Sequence, residues 1–230
     1  MNIDEFCELP WSRLKAYMLG LMYTRIDIAV VQEYDEYLLS GTVAHQPNSI
    51  DNDQILTHFL SFSELLNNNN LGDRVILRYN NDVKFLKPNG QLRKNGKSGF
   101  SVGIKTNFDR NETITYETIV NDCNLKLNEQ VVNIPNELVD DFVIGTIDGR
   151  SSFDRTRYLV SIDIDRNQEK QNILNRVIAS SSVDAEINSR GGRSDSSKAD
   201  QLRYSKKSLV RIANMELLSV KRLNDIRNSI

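Results

Sequence analysis

The pattern of apolar and polar positions in the first half of the chain predicts alternating helices and strands. Apolar residues recur every three or four positions over residues 11–24, which is the period of a helix with one buried face. Residues 26–32 and 37–45 are rich in Ile, Val, Tyr and Leu on either side of a polar break, as is typical of a hairpin. The elements predicted to follow are a helix capped by Asp51 or Asp53 and ending near residue 67, strands at 74–79 and 99–106, and a helix at 115–127.

The second half repeats this order of elements. The predicted elements are a helix at 137–148, a strand at 157–165, a helix at 168–180, extended segments at 185–190 and 201–206, and a helical region at 208–227. We therefore interpret each half as helix, strand, strand, helix, strand, strand, helix, and a duplicated unit of this size indicates an internal repeat. We place the first half at residues 1–133 and the second at 134–230.

A short motif occurs once in the leading helix of each half. Residues 17–25 and 142–150 share an aromatic residue, two aliphatic residues, a glycine, an aliphatic residue two places on and an arginine three places further. Glycine inside a helix costs about 1 kcal/mol relative to alanine. Gly20 and Gly145 at matched positions therefore indicate a packing reason, of which the close approach of two helix backbones is the simplest.

The repeated order and the motif together resemble the LAGLIDADG family of homing endonucleases and their non-cutting relatives. The resemblance implies an α+β fold, a tandem αββαββα repeat with pseudo-twofold symmetry that packs as one unit. It further implies that the two motif helices pack through their glycines and that each half carries a curved antiparallel sheet. Double-stranded DNA is the implied partner, and the implied state is a monomer formed by internal duplication.

The sequence departs from this family at the eighth motif position. The resemblance implies an acidic residue there in each half, and the two acids hold the divalent metals for strand cleavage, but this chain has Arg25 and Arg150. A guanidinium has only hydrogen-bond donors and cannot ligate Mg²⁺, which takes oxygen ligands. We therefore expect no catalytic residue, no metal site and no cleavage. The two arginines either cap their own helices or bind an anion, such as a DNA phosphate or a partner's carboxylate.

Charge is distributed unevenly along the 230 residues, although the net charge is only −2. No Lys or Arg lies between Arg25 and Arg74, where eight Asp and Glu residues occur, so we expect solvent or a partner protein at the acidic region 27–73. Positive stretches at 74–110 and 190–211 are either solvated or face DNA phosphates. The residues predicted to contact DNA are Arg25, Arg78, Lys94, Lys97, Lys105, Arg150, Arg155, Arg157, Arg190, Arg193, Arg203 and Lys206.

Two other functions stay open. One is a metal-dependent DNA endonuclease of restriction or homing type whose acids lie elsewhere, with Asp148, Asp163 and Asp165 as candidates and Mg²⁺ as the cofactor. The other is a protein-interaction subunit of a defence or regulatory assembly. Each differs from the main hypothesis, which is a double-stranded DNA-binding protein that does not cleave.

Several other classes are excluded by what the sequence lacks. It contains no GxxxxGK[ST], no GxGxxG and no zinc spacing, so no cofactor is expected. Cys7 and Cys123 stand alone and are interpreted as reduced thiols. No apolar stretch approaches the length of about 18 residues that a membrane helix needs, and the first residues are acidic, so we expect no membrane contact and a cytoplasmic location.

Overall fold

The computed structural model describes residues 1–45, 52–94, 96, 98–164, 167–188 and 200–230, with the side chains of Arg150 and Asn188 outside the description. These residues form two compact units. The N-terminal unit comprises Met1–Pro10 and Ile26–Glu129, and the C-terminal unit comprises Trp11–Arg25 and Gln130–Ile230. The leading helix of the first half is therefore part of the C-terminal unit, a grouping that the sequence halves 1–133 and 134–230 do not anticipate.

Helices and strands alternate along the described residues. The helices are α1 Ile3–Glu8, α2 Arg13–Tyr23, α3 Asn52–Asn68, α4 Tyr116–Val132, α5 Val139–Arg150, α6 Gln168–Ala179, α7 Lys206–Ala213 and α8 Arg222–Arg227. The strands are β1 Asp27–Val30, β2 Glu36–Ala44, β3 Ile76–Tyr79, β4 Lys84–Leu86, β5 Leu92–Lys94, β6 Gly99–Asp109, β7 Ser151–Asp154, β8 Leu159–Ile164, β9 Glu186–Asn188 and β10 Asp200–Tyr204. Among the helices of these residues, none combines the length and the hydropathy of a membrane-spanning segment.

Some short elements lie outside the sequence predictions. Helix α1 begins with a capping box, in which the side chain of Asn2 accepts from the backbone of Glu5 and the Glu5 carboxylate accepts from the backbone of Asn2. Strand β7 has one buried apolar residue, Phe153, which is too little to give a periodic signal. The helical region predicted at 208–227 is two helices, α7 and α8, joined by irregular chain.

The two helices that carry the glycine motif, α2 and α5, pack against each other within the C-terminal unit. A Cβ atom on Gly20 would lie 2.2 Å from the backbone oxygen of Phe142. A Cβ atom on Gly145 would lie 2.2 Å from the backbone oxygen of Tyr17 and 3.2 Å from the Cα of Gly20. Because no side chain fits at such distances, only glycine allows this separation, and the predicted glycine-to-glycine contact is confirmed.

The C-terminal sheet has four antiparallel strands in the order β7-β8-β10-β9. One side is apolar and lies under α6, whose Gln171 donates a hydrogen bond to Asp200 of β10 at 2.8 Å. Register partners in an antiparallel pair share a side, so the other side can be assigned from the pairing. We call this other side the open face. Its residues on β7, β8 and β10 include Ser152, Ser161, Asp163, Gln201 and Arg203.

The N-terminal sheet has six antiparallel strands in the order β3-β6-β2-β1-β4-β5. Its strands β1, β2, β6 and β3 are neighbours in the same order as β7, β8, β10 and β9 of the C-terminal sheet. The hairpin of β4 and β5 is an addition beside β1. The predicted repeat of element order is therefore confirmed, as is the α+β class with antiparallel sheets.

Apolar side chains are buried on both sides of the N-terminal sheet. On one side Phe59 of α3 stacks on Tyr79, with ring centroids 4.4 Å apart, and meets the edge of Phe100. The other side, which we call the inner face, has a second apolar cluster. Its members are Ala29, Val31, Leu38, Ile76, Val83 and Phe85, with Tyr34 packed against them.

Replacing Gly145 by alanine should destabilise the protein. The new methyl group would meet backbone atoms of Tyr17, which cannot turn away, so α2 and α5 must separate. We expect a loss of about 3 kcal/mol in the free energy of unfolding, measured by urea denaturation. The control is Gly96→Ala, where a Cβ atom meets nothing within 4 Å and the change should stay within about 0.5 kcal/mol. Equal stability of the two variants would contradict the packing argument.

Candidate nucleic-acid interface

The motif arginines lie at or just beyond the ends of the two packed helices. Helix α2 ends at Tyr23 with Thr24 as its C-cap, and Arg25 follows with an exposed side chain. Arg150 is the last residue of α5, and its side chain lies outside the described part of the chain. A cation near a helix C-terminus interacts favourably with the helix dipole. Capping and anion binding by this pair both stay predictions.

Asp148, two residues before the end of α5, is completely buried and accepts hydrogen bonds on both carboxylate oxygens. The Tyr17 hydroxyl donates to Oδ2 at 2.6 Å, and the Ser219 hydroxyl lies 2.9 Å from the same oxygen. The backbone N–H groups of Val220 and Arg222 donate to Oδ2 at 2.9 Å and to Oδ1 at 2.7 Å. Because these donors lie at the start of α8, the carboxylate caps that helix.

The hydrogen bonds to Asp148 use the acceptor sites of its carboxylate. A carboxylate has about four lone-pair sites, and two hydroxyls and several backbone N–H groups already occupy them. Burial, the charge of Asp148 and the hydrogen bond to it raise the pKa of the Tyr17 hydroxyl well above its usual value of 10, so Tyr17 stays a neutral donor. A metal ion at Asp148 would have to displace these donors from a closed site.

Four of the predicted cations lie around one end of the C-terminal sheet, and we call them the basic patch. Arg155 and Arg157 lie in the turn between β7 and β8, Arg203 lies on the open face of β10, and Lys206 begins α7. The Lys206 ammonium lies 4.5 Å from the ring centroid of Tyr158, the last residue of the turn, so α7 and the turn meet here. The structure thus brings together residues that are separated by up to about 50 positions in the sequence.

The two arginines of the turn are accessible from solvent. The side chains of Arg155 and Arg157 are 72% and 80% exposed. Their ion pairs are long, at 3.9 Å to Asp225 and 3.7 Å to Asp154, and exposed pairs of this kind contribute little. Asp154 also accepts the backbone N–H of Arg157 at 3.1 Å, which orders the turn. The guanidinium groups therefore lie on an ordered turn and can bind an external anion.

Tyr158 is a residue of this region that the sequence analysis missed. Its φ of +49° lies in the left-handed region, which is unfavourable for an aromatic residue. Strain of this type is concentrated at functional sites. The residues before it are an aspartate, two arginines and a threonine, and a positive φ at a residue other than glycine leaves no sequence signal.

A chain of hydrogen bonds crosses the open face beside the basic patch. Arg203 donates to the side-chain oxygen of Gln201 at 3.1 Å, and the amide of Gln201 donates to Asp163 at 3.0 Å. Of the acids considered as nuclease ligands, Asp163 is exposed on this face, whereas Asp148 is buried. Asp165 lies outside the described residues.

The predicted cations of the N-terminal unit are engaged within that unit or lie at its edge. The Lys105 ammonium lies 2.7 Å from a carboxylate oxygen of Glu36 and 5.5 Å from the ring centroid of Tyr34. Arg78 is half-buried on the inner face, and Lys94 is exposed on β5. The predicted contacts that lie outside the described residues are Lys97, Arg190 and Arg193.

The acidic region 27–73 is represented mainly by β1, β2 and α3. Helix α3 has no Lys or Arg, and its Leu56 and Leu60 are exposed one turn apart. A protein partner at this region stays a prediction.

Comparison with known proteins finds similarity in structure alone. None of the protein-family models and none of the curated proteins matches this sequence. The crystal structure of I-DmoI in complex with DNA and Ca superposes with a TM-score of 0.50 at 12% sequence identity, covering 99% of this chain and 100% of that chain. The chain has a LAGLIDADG-like fold. Mesophilic variants of the homing endonuclease I-DmoI give a TM-score of 0.49 at 11% identity, covering 99% and 100% of the two chains. The N-terminal LAGLIDADG domain of DUF199/WhiA gives 0.39 at 11% identity, covering 99% and 89%.

The metal pair implied by the LAGLIDADG resemblance does not fit the residues of this chain. The motif positions that would supply acids hold Arg25 and Arg150, which cannot ligate a cation. The nearest acid on α5, Asp148, is already saturated with donors. Within the described residues, no group of three or more His, Cys, Asp or Glu side chains is placed to hold a metal ion.

Replacing Asp148 by asparagine should destabilise this LAGLIDADG-like fold, because the carboxylate caps α8. The new amide group would direct donors at the donors of Tyr17 and α8, and the buried charge would be lost. We expect a loss of about 3 kcal/mol in unfolding free energy, and about 1 kcal/mol for Tyr17→Phe, both by urea denaturation. Asp163→Asn is the control, since that side chain is exposed, and it should change stability by less than about 0.5 kcal/mol. A fully stable Asp148→Asn protein would disprove the capping role.

Proposed function

We propose that this protein binds double-stranded DNA through the basic patch and does not cleave it. The observation that carries the proposal is the grouping of four cations, two of them mostly exposed, at the end of a sheet whose open face is polar. Lys and Arg supply the phosphate contacts that dominate DNA affinity. The neighbour I-DmoI was solved in complex with DNA, and the likeness of this chain to it in fold supports the same class of partner.

The open face adds a group that can distinguish bases. Arginine donates two hydrogen bonds to guanine in the major groove. Arg203 is half-buried on the open face of β10 and is oriented by its hydrogen bond to the buried Gln201. In this proposal the exposed arginines of the turn contact phosphates, and Arg203 faces the base edges.

The absence of cleavage is supported by the chemistry of the helix ends. Cleavage by metal ions needs oxygen ligands near the scissile phosphate. This chain has arginines at both motif positions, and the adjacent Asp148 caps α8. The arginines are suited to holding a phosphate, not to activating water against it.

Removing one arginine of the turn should weaken duplex binding. We expect Arg157→Ala to raise the Kd about fivefold at low salt and to reduce the slope of log K against log salt by about 1. Fluorescence anisotropy with a labelled 24-bp duplex at several salt concentrations would measure both. The matched control is Arg176→Ala, an exposed arginine on α6, which packs on the opposite side of the sheet.

Two results would contradict the DNA-binding proposal. One is a Kd weaker than about 10⁻⁴ M at low salt, which is poorer than ordinary non-specific binding. The other is an equal loss of affinity in Arg157→Ala and Arg176→Ala, which would place the contact elsewhere.

Cleavage is tested separately with supercoiled plasmid. We expect no nicked or linear product above background after incubation with Mg²⁺ or Mn²⁺. Metal-dependent product that disappears in Asp163→Asn would support the endonuclease alternative and overturn the non-cleaving part of the proposal while leaving DNA binding intact.

A further inference from the structure

The two sheets of this chain differ by one inserted segment. Strands β1, β2, β6 and β3 correspond in order to the whole C-terminal sheet. Between β3 and β6 the N-terminal unit adds residues 80–94, which include a short 3-10 turn, Asn80–Asp82, and the hairpin of β4 and β5. We call residues 80–83 the crossing segment, because β3 lies at one edge of the sheet and β4 lies beside β1.

The length of the crossing segment requires the sheet to curl. In a flat sheet β3 and β4 would lie four strand spacings apart, which is about 19 Å across the sheet. Any offset along the strands would lengthen this distance. Five residue steps separate Tyr79 from Lys84, which reach about 17 Å at full extension and less through a 3-10 turn. The edges of the sheet must therefore approach each other.

Contacts at both ends of the crossing segment place it over the inner face. Asn80 accepts a hydrogen bond from the Ser101 hydroxyl at 2.7 Å. Ser101 belongs to the inner face because it pairs with Arg78, which lies two residues along β3 from Ile76 of the inner-face cluster. At the other end, Val83 packs in the inner-face cluster. The sheet is thus curled around its inner face, and the inserted segment completes the enclosure.

The inner face is consequently closed to a large ligand. Ser40, Thr42 and Ser101 are polar, yet they are only 1%, 4% and 4% exposed. By contrast, Ser152 and Asp163 on the open face of the C-terminal sheet are exposed and Ser161 and Arg203 are half-buried, although Gln201 beside them is only 9% exposed. A duplex is about 20 Å wide and can be read only by a face that it can touch.

We infer that the chain reads DNA with one sheet and recognises a single short stretch of duplex. The inference rests on the proposed function. Four strands span about 15–19 Å, and strands of five or six residues have a similar length. At about 3.4 Å per base pair, this surface covers about five base pairs. The duplicated fold therefore does not lead to a two-part site.

The length of the duplex tests this inference. Binding of the full chain is measured with nested duplexes of 12, 18 and 24 bp at 0.1 M salt. Each Kd is corrected for the number of positions along the duplex at which one protein molecule can bind. We expect the corrected Kd to agree within about fivefold across the series, since 12 bp already exceeds one sheet. A larger loss between 24 and 12 bp would overturn the inference but not DNA binding itself. Failure to bind every duplex would overturn the proposed function, and the inference with it.

A matched pair of double variants gives a second readout on the 24-bp duplex. Lys84→Ala with Arg93→Ala removes two exposed positive charges from the inserted hairpin, and Arg155→Ala with Arg157→Ala removes two from the basic patch. We expect the hairpin variant to stay within twofold of the parent Kd and the patch variant to lose at least tenfold. Comparable losses in both, with unchanged urea denaturation, would show that the N-terminal unit also contacts DNA and would overturn the inference.

Discussion

The contact between two glycines on α2 and α5 is the constraint on which the C-terminal unit depends. At Gly20 and Gly145 the helices touch through their backbones, with no space for a methyl group on either side. This close approach joins a helix from the start of the chain to elements that begin more than a hundred residues later. It also brings the hydroxyl of Tyr17 within reach of Asp148, so the polar network at the start of α8 depends on the same separation.

That network decides what the end of α5 can do. A buried carboxylate is costly unless it is fully hydrogen-bonded, and here hydroxyls and backbone N–H groups satisfy it. An acid held in this way stabilises the fold, but it has no free oxygen for a metal. The same pair of helices therefore ends in exposed Arg25 on one side and in a closed structural site on the other.

Much of the fold could be predicted because its signals are local. Each copy of the glycine motif and the helical periods of residues 11–24 and 168–180 lie within short windows, and the repeated order of elements is assembled from such local signals. The partner of Asp148 could not be predicted, since the backbone of Arg222 at the start of α8 is 74 positions away and the residue that caps this helix does not precede it in the sequence. The curl of the N-terminal sheet could not be predicted either, because β4 and β5 have only three residues each and their position beside β1 depends on long-range pairing. In the candidate site the arginines were identifiable by charge, but their grouping with Tyr158 required the register of β8 and β10.

The asymmetry of charge and the asymmetry of the sheets have a common explanation. Eight acids without a single cation between Arg25 and Arg74 would be repelled by a duplex lying on the N-terminal sheet. In the proposed arrangement DNA lies on the C-terminal sheet alone, so the acidic residues on the strands around the enclosed inner face and on α3 meet no duplex and carry no electrostatic penalty. The C-terminal sheet keeps an exposed polar face and the basic patch at its end. Under this proposal a duplicated fold retains the geometry of both halves for packing, while one half alone provides the surface for binding.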